Sequence, residues 1–363
     1  MAFEMVKYNA PDFNTEPFIS APCVATKSVE IKGVAPDNFH ATTIFPEYFK
    51  VDGKWVVAQQ SRMDCVVVVL EDGSVEVKEF RRLEVGDRVV VGRSEDASNG
   101  IFVYTEGFKY SAELEETFAF RTGRSRETSY SRDYDSLYDI LKYEKEHGYI
   151  VWVLGPAVVF DHDSRAAMVS LIENGFADAV FAGNALATHD MEGSIFRTAL
   201  GQDIYTQASM PNGHYHHLEL INKVRRQGSI ENFLKNENVN DGVINACVKN
   251  NIPFVLTGSI RDDGPLPEVY ANVYEGQDAM RKHIRKATTV LGLATQLHSI
   301  ATGNMTPSYQ VVDGVVRPVF IYSVDISEFA VNKLRDRGTT QVTSIVTNIQ
   351  DFLVNLSRNL TEK

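Results

Sequence analysis

Short apolar runs alternate with polar turns through the first third of the chain, and stretches of helical period separate such runs afterwards. From Val29 to about Tyr104 the runs are VEIKGV, KWVVAQ, DCVVVVLE, SVEVKEF and DRVVVG. Asp-Gly pairs at Asp52–Gly53 and Asp72–Gly73 separate them, as hairpins require, because both turn positions must tolerate positive φ. This pattern predicts a small β domain over residues 29–110, preceded by an irregular, proline-containing lead-in over 1–28. Residues 111–135 are polar and rich in Arg, Ser and Tyr. They read as a linker or crossing loop, or as a hydroxyl-rich basic run able to meet phosphate.

Residues 136–363 change character, alternating helical segments with apolar strands. Strands are expected at 149–159, 178–187, in PFVLTG, in TTVLGLA, at 317–325 and at 340–348. Helices are expected between them, at 136–147, 164–174, 188–200, 216–227, 230–236, 239–250, 275–286, from 296, at 327–337 and at 349–359. Such alternation predicts an α/β fold with a Rossmann-like, doubly wound parallel sheet. In that architecture ligands sit in the crevice beyond the carboxyl ends of the strands.

Composition narrows the function classes. The 363 residues are 44% hydrophobic and 23% charged, values of an ordinary globular chain, and the formal charge of −12 argues against nucleic-acid or anionic-membrane partners. No apolar stretch is long enough to span a bilayer and no N-terminal run resembles a signal peptide. Cys23, Cys65 and Cys247 have no metal-ligand spacing. A cytoplasmic protein with free thiols is therefore expected. For Cys65 a buried small hydrophobe and a reactive thiol are both open.

Candidate chemistry collects where apolar runs end. After Phe254–Thr257 come Ser259, Arg261, Asp262, Asp263 and Gly264; after Thr289–Leu293 come Thr295, Gln296, His298 and Asn304. An arginine can grip a carboxylate through its fork, and an aspartate can hold an ammonium group or act as base, so Arg261 with Asp262–Asp263 suits an amino-acid substrate. A structural ion pair in the loop is the alternative. Gly155-Pro156-Ala157 and Gly183-Asn184-Ala185 are small-residue turns that serve either packing or ligand approach. Asp325 ends the run VFIYSVD, where a carboxylate suits ribose hydroxyls and equally suits a helix N-cap. His214, His216 and His217 cluster in sequence, and His189 and Asp190 follow the Asn184 turn, without a compact zinc pattern; no metal is expected.

Several of these segments carry a further signal. GPAVV at 155–159, AGNALATHD at 182–190, INKVRRQGSI at 221–230, CVKNNIPFVLTGSIRDDGPLP at 247–267, LATQLHSIATGN at 293–304, VDIS at 324–327 and KLRDRGTTQ at 333–341 resemble the archaeal-type ornithine cyclodeaminase family. They also resemble the C-terminal module of bifunctional arginine dihydrolase/ornithine cyclodeaminases, the LOR/SDH region. The resemblance covers most of 148–350 and continues more weakly through 40–69. It implies a redox-neutral lyase that uses NAD to convert ornithine, or a related amino acid, to proline or a cyclic analogue with loss of ammonia. By position it assigns Asn184, Ala185, Asp263, Thr295, Gln296, Leu297, His298, Asp325, Asn348 and Ile349 to NAD. Asp263, Arg261, Asp262 and His298 are then the catalytic candidates. The sequence departs from the family at Thr347-Asn348, where Thr-Asp is usual, and in loops 201–212 and 305–318, which look expanded. The family's additional N-terminal subdomain is expected to be missing. Altered loops keep an amino-acid or opine-type dehydrogenase open, and a non-catalytic NAD-binding sensor is a third reading. A homo-oligomer is expected.

Overall fold

The computed structural model describes residues 4–108, 131–262, 264–327 and 341–361. Its N-terminal part folds into two small antiparallel sheets. One sheet joins β1 (Ala25–Ser28), β6 (Arg88–Val91), β4 (Val66–Val69) and β5 (Val75–Lys78) in that order; the other joins β3 (Lys54–Val57), β2 (Glu47–Val51) and β7 (Ile101–Val103). Phe49, Val67, Val90 and Ile101 from both sheets fill the space between them. The β2–β3 turn is the expected one, with Asp52 at φ 49° and Gly53 at φ 80°.

Two local expectations change here. The run VEIKGV is not a strand: β1 lies just before it, inside the segment expected to be irregular, and Val29 already leaves the ladder. Strands β2 and β7 escaped the pattern because β2 buries two charged residues. Glu47 is fully buried against His40 Nε2 at 2.9 Å, and the Lys50 ammonium donates to the carbonyls of Phe18, Ile19 and Ala21 at 3.1, 3.0 and 2.8 Å. Buried charges with full partners are stable, but they read as surface in a sequence.

The second part opens with α1 (Ser131–His147) and β8 (Ile150–Leu154), and continues through α2 (His162–Glu173), β9 (Ala179–Gly183) and α3 (Asn184–Phe196). A hairpin of β10 (Thr198–Ala199) and β11 (Gln202–Asp203) precedes α4 (His216–Gln227), α5 (Ile230–Asn236) and α6 (Val243–Lys249). Then come β12 (Phe254–Thr257), α7 (Val273–Ile284), β13 (Thr289–Leu293) and α8 (Gln296–Met305). The chain closes with the hairpin β14 (Tyr309–Val312) and β15 (Val315–Pro318), then β16 (Phe320–Asp325), β17 (Gln341–Val346) and α9 (Ile349–Thr361).

Six strands form one parallel sheet in the order β12-β9-β8-β13-β16-β17. Renumbered in chain order this is 3-2-1-4-5-6, the arrangement of dinucleotide-binding α/β folds, with its reversal between β8 and β13. The expected doubly wound sheet is therefore present. Strand β8 shows why its residues read as one apolar run. Ile150, Trp152 and Leu154 enter the core on one face, Val151 and Val153 that on the other, so both faces are covered.

Strands end earlier than apolar character suggests. Pro156 cannot donate to a ladder, and β8 gives way at Gly155 to a 3₁₀ turn over Pro156–Val159. Strand β9 stops at Gly183 because α3 begins at once, its own Leu186, Ala187 and Met191 also buried. Segment 305–318 is an ordered hairpin that reaches into the β part: the Tyr309 hydroxyl donates to Ala58 O at 2.5 Å, and Tyr309 packs with Phe108 and Val316. The linker expected at 111–135 and the helix expected at 327–337 fall largely outside the described residues.

Candidate active site

The strand tips on either side of the reversal converge. Gly155, after β8, donates its N–H to Leu293 O at 2.8 Å, so the two central strand ends stay joined past the sheet edge. A side chain there has no room, since a Cβ on Gly155 would stand 2.0 Å from Ala294 O. Beside this seam opens a crevice of about 250 Å³. Gly155 and Asn184 line one wall, Thr257 and Asp262 another, Thr295 and His298 the third.

Two helices begin at this crevice, and neither is capped by a side chain. Gly183 precedes α3 and Thr295 precedes α8, each without a side-chain bond to the first turn. The leading N–H groups of such helices lack intrahelical acceptors, and with the helix dipole they favour an anion. Asn184 turns its side chain elsewhere: Oδ1 accepts from Leu266 N at 3.0 Å, pinning the loop after β12 over the start of α3.

That loop carries the charged candidates. Asp262 Oδ2 accepts Ser259 N at 2.7 Å and Arg261 N donates to Ser259 Oγ at 3.2 Å, which closes a compact turn and leaves the exposed Arg261 at the rim. His298 lies opposite, its Nε2 3.1 Å from Thr257 Oγ1. Burial pushes the His298 pKa down, with Asp262 pulling the other way, so the imidazole is neutral at pH 7 and able to take up a proton. Thr257 is a site residue the sequence reading did not single out; its only signal was its position as the last residue of an apolar run.

Asp325 sits farther along the same edge, at the tip of β16. It lines a small adjoining pocket with Thr295 and Gln296, and its Oδ1 accepts Ser327 N at 2.8 Å. Asn348 caps α9, its Oδ1 accepting from Gln350 N and Asp351 N at 2.8 and 3.2 Å. Ile349 points into the core at 5% exposure. Ala185 and Leu297 line the main crevice. Asp263 lies outside the described residues.

The other polar candidates are built into a separate cluster. His189 Nδ1 lies 2.7 Å from Glu192 Oε2, while Thr198 Oγ1 donates to Glu192 Oε1 at 2.7 Å and approaches His216 Nδ1 at 2.8 Å. Burial works against the Glu192 charge, but these bonds and the Gly201 N–H hold its pKa below the usual carboxylate range. Asp190 pairs with Arg165 Nε at 2.7 Å and accepts both first N–H groups of α6. Among the described residues no group of three His, Cys, Asp or Glu is placed to hold a metal. Burial pushes the Cys65 thiol up to about 11, which leaves it protonated and unreactive at neutral pH.

Comparison with known proteins gives this geometry a lineage. Residues 137–356 match the family described as arginine dihydrolase ArgZ-like, C-terminal, Rossmann fold, and residues 46–128 match the first region of the same C-terminal part. The chain belongs to the ArgZ-like C-terminal family. Within it, the chain is similar to the ornithine cyclodeaminase of Methanocaldococcus jannaschii, 39% identical over 340 residues, spanning 90% of this chain and 75% of that one. A crystal structure of an LOR/SDH protein from Methanococcus maripaludis superposes with a TM-score of 0.84 at 35% identity, covering 93% of this chain and 98% of that one. AgrE, solved as a ternary complex with ornithine and NAD+, superposes with a TM-score of 0.59 at 31% identity over 94% of this chain and 46% of its own. The curated ArgZ-like relatives are enzymes, and membership makes this chain one too.

Proposed function

We propose that this protein is an NAD-dependent ornithine cyclodeaminase that forms proline and ammonia without net redox change. The observation that carries the reading is the pair of uncapped helix starts, α3 and α8, opening beside a neutral, half-buried His298 at the switch-point crevice. Ornithine and NAD+ in the AgrE complex support it.

The residues fit a dinucleotide. The N–H groups leading α3 and α8 suit a pyrophosphate, and glycine at 155 admits close approach of its backbone. Asp325 keeps Oδ2 without a hydrogen-bond partner among the described residues, ready for ribose hydroxyls. Leu297, 70% exposed, offers an apolar surface for a ring to cover. When bound, NAD supplies a reversible hydride acceptor.

The chain's own groups do the rest. Arg261 grips the substrate carboxylate from the rim. Neutral His298 takes up the proton released from the substrate amine and returns it when the ring closes. Asp262, with Asp263 next to it in sequence, receives the second ammonium group and takes the proton it must shed before its free amine can close the ring, and the crevice keeps the chain of the amino acid folded for cyclisation. The protein acts as a cytoplasmic homo-oligomer in this reading.

The test is a time course with ornithine and NAD. Proline and ammonia should accumulate in equal amounts with no growth of NADH absorbance. Stoichiometric NADH would instead assign a dehydrogenase, and binding of NAD without turnover across amino acids would assign a sensor.

A further inference from the structure

A second charged pocket lies at the opposite edge of the sheet. Helix α7 starts beyond the carboxyl end of β12 and returns to the amino end of β13, so its last turn is remote from the crevice. There Arg281 and Arg285 meet Arg62 of the β part across a cavity of about 190 Å³, and Arg81 and Arg82 join the neighbouring ion pairs without lining it. Gln59, Gln60, Met305, the β5 residues Val75–Val77 and Glu79 complete its lining.

The charges in this band do not balance. Arg62 Nη2 and Arg281 Nη2 both lie 2.6 Å from Glu79 Oε1, and Arg82 Nε lies 3.5 Å from Oε2. Asp278 Oδ1 takes Arg81 at 2.6 Å and Arg82 more closely still. Of the five guanidinium groups in this band, Arg62, Arg281 and Arg285 line the cavity, where Arg62 and Arg281 share Glu79 and Arg285 has no ion pair among the described residues. Glu76 also lines the cavity, but Lys78 Nζ stands 3.5 Å from it.

Arg281 shows that pairing is incomplete. It is 5% exposed, lines the cavity, and its buried Nη1 has no hydrogen-bond acceptor among the described residues; Asp278 Oδ1 stands off at 3.7 Å. Burial lowers its pKa to about 10, with Arg62, Arg82 and Arg81 adding to the fall and Glu79 opposing it. Cations at the end of α7 are favoured by the helix dipole alone. The dipole explains Arg285, but it does not explain a buried N–H left without an acceptor, which costs ~1–3 kcal/mol. A bound oxyanion would satisfy that N–H, offset the excess charge and fit, since a water claims only ~30 Å³.

We propose that this cavity binds a small oxyanion, phosphate or a compact carboxylate, through Arg62, Arg281 and Arg285. The site is separate from the crevice, although α8 touches both. Thr295 and His298 stand at its start, and Arg62 Nη1 donates to Asn304 O in its last turn.

Calorimetric titration of the full chain tests this, with phosphate and malonate at an ionic strength fixed by sodium chloride. Saturable binding of one anion per chain is expected, weakened about tenfold by Arg285→Gln, the loss of one charge-assisted bond. Arg285 is half-exposed and carries no ion pair among the described residues, so this variant should keep the wild-type melting temperature and NAD affinity. Tighter binding of phosphate or of malonate decides between the two sources. No heat beyond the chloride control, or equal affinity in wild type and Arg285→Gln, overturns the proposal.

Discussion

Two histidines in this protein are buried to different ends. His298 faces a hydroxyl, Thr257, and opens on the crevice; His189 faces a carboxylate, Glu192, inside a closed set of bonds with Thr198 and the Gly201 N–H. A buried imidazole with a neutral partner loses its charge and stays free to move a proton. One bonded to a carboxylate whose other oxygen is tied to Thr198 and Gly201 has a fixed place in the packing. For His298 burial sets the direction of the pKa, and its hydroxyl partner leaves the ring facing the crevice.

The strongest way to break this contrast is His298→Ala. Turnover of ornithine should fall by ~10²–10⁴-fold, the usual contribution of a positioned acid/base group, with the melting temperature close to wild type. Near-normal turnover would remove His298 from the chemistry. Glu192→Ala should do the reverse. It leaves His189 and the Gly201 N–H short of the carboxylate, at about 1–3 kcal/mol for each buried group that water cannot reach, while the Thr198 hydroxyl keeps His216 Nδ1. Denaturant titration should show that loss while kcat per folded molecule holds; a collapse of kcat with unchanged stability would place the His189 cluster in catalysis.

Thr257→Val is a finer probe. Removing the hydroxyl beside His298 Nε2 should cost about 0.5–1.5 kcal/mol in the barrier, seen in kcat more than in KM. The smallest effect is that of pH on the wild type. Because the folded protein lowers the His298 pKa, the unfolded chain binds its proton first as pH falls. This group therefore contributes full stability above its unfolded value of ~6.5 and loses it progressively below that, while the acid limb of kcat/KM lies at the lower, folded value. An acid limb above 6.5 would contradict the assignment.

The sheet was legible because its central strands β8 and β13 are largely apolar and buried along their whole length, short runs of the kind a strand covered on both faces produces. Strand ends were harder. At Gly183 the apolar run continues as Leu186 and Ala187, buried in a helix rather than a strand, and periodicity cannot separate the two. Strand β2 was hidden by Lys50, whose carbonyl partner Phe18 lies 32 positions earlier, and by Glu47, buried against His40 only seven positions away. The site was legible as strand-end turns: Arg261, Asp262, Thr295 and His298 do share one crevice. What the sequence could not supply was pairing. The bonds from Leu266 to Asn184 and from Thr257 to His298 join residues 82 and 41 positions apart.

The β14–β15 hairpin has a consequence for how the molecule can be taken apart. It belongs to the Rossmann half by connectivity, yet Tyr309 is plugged into the other half, its hydroxyl seated on Ala58 O and its ring packed with Phe108. A dowel of this kind survives only while both pieces of joinery are present. Gene fragments ending between the halves should give either an aggregating C-terminal piece or none, whereas mixing separately expressed halves should restore solubility before it restores activity.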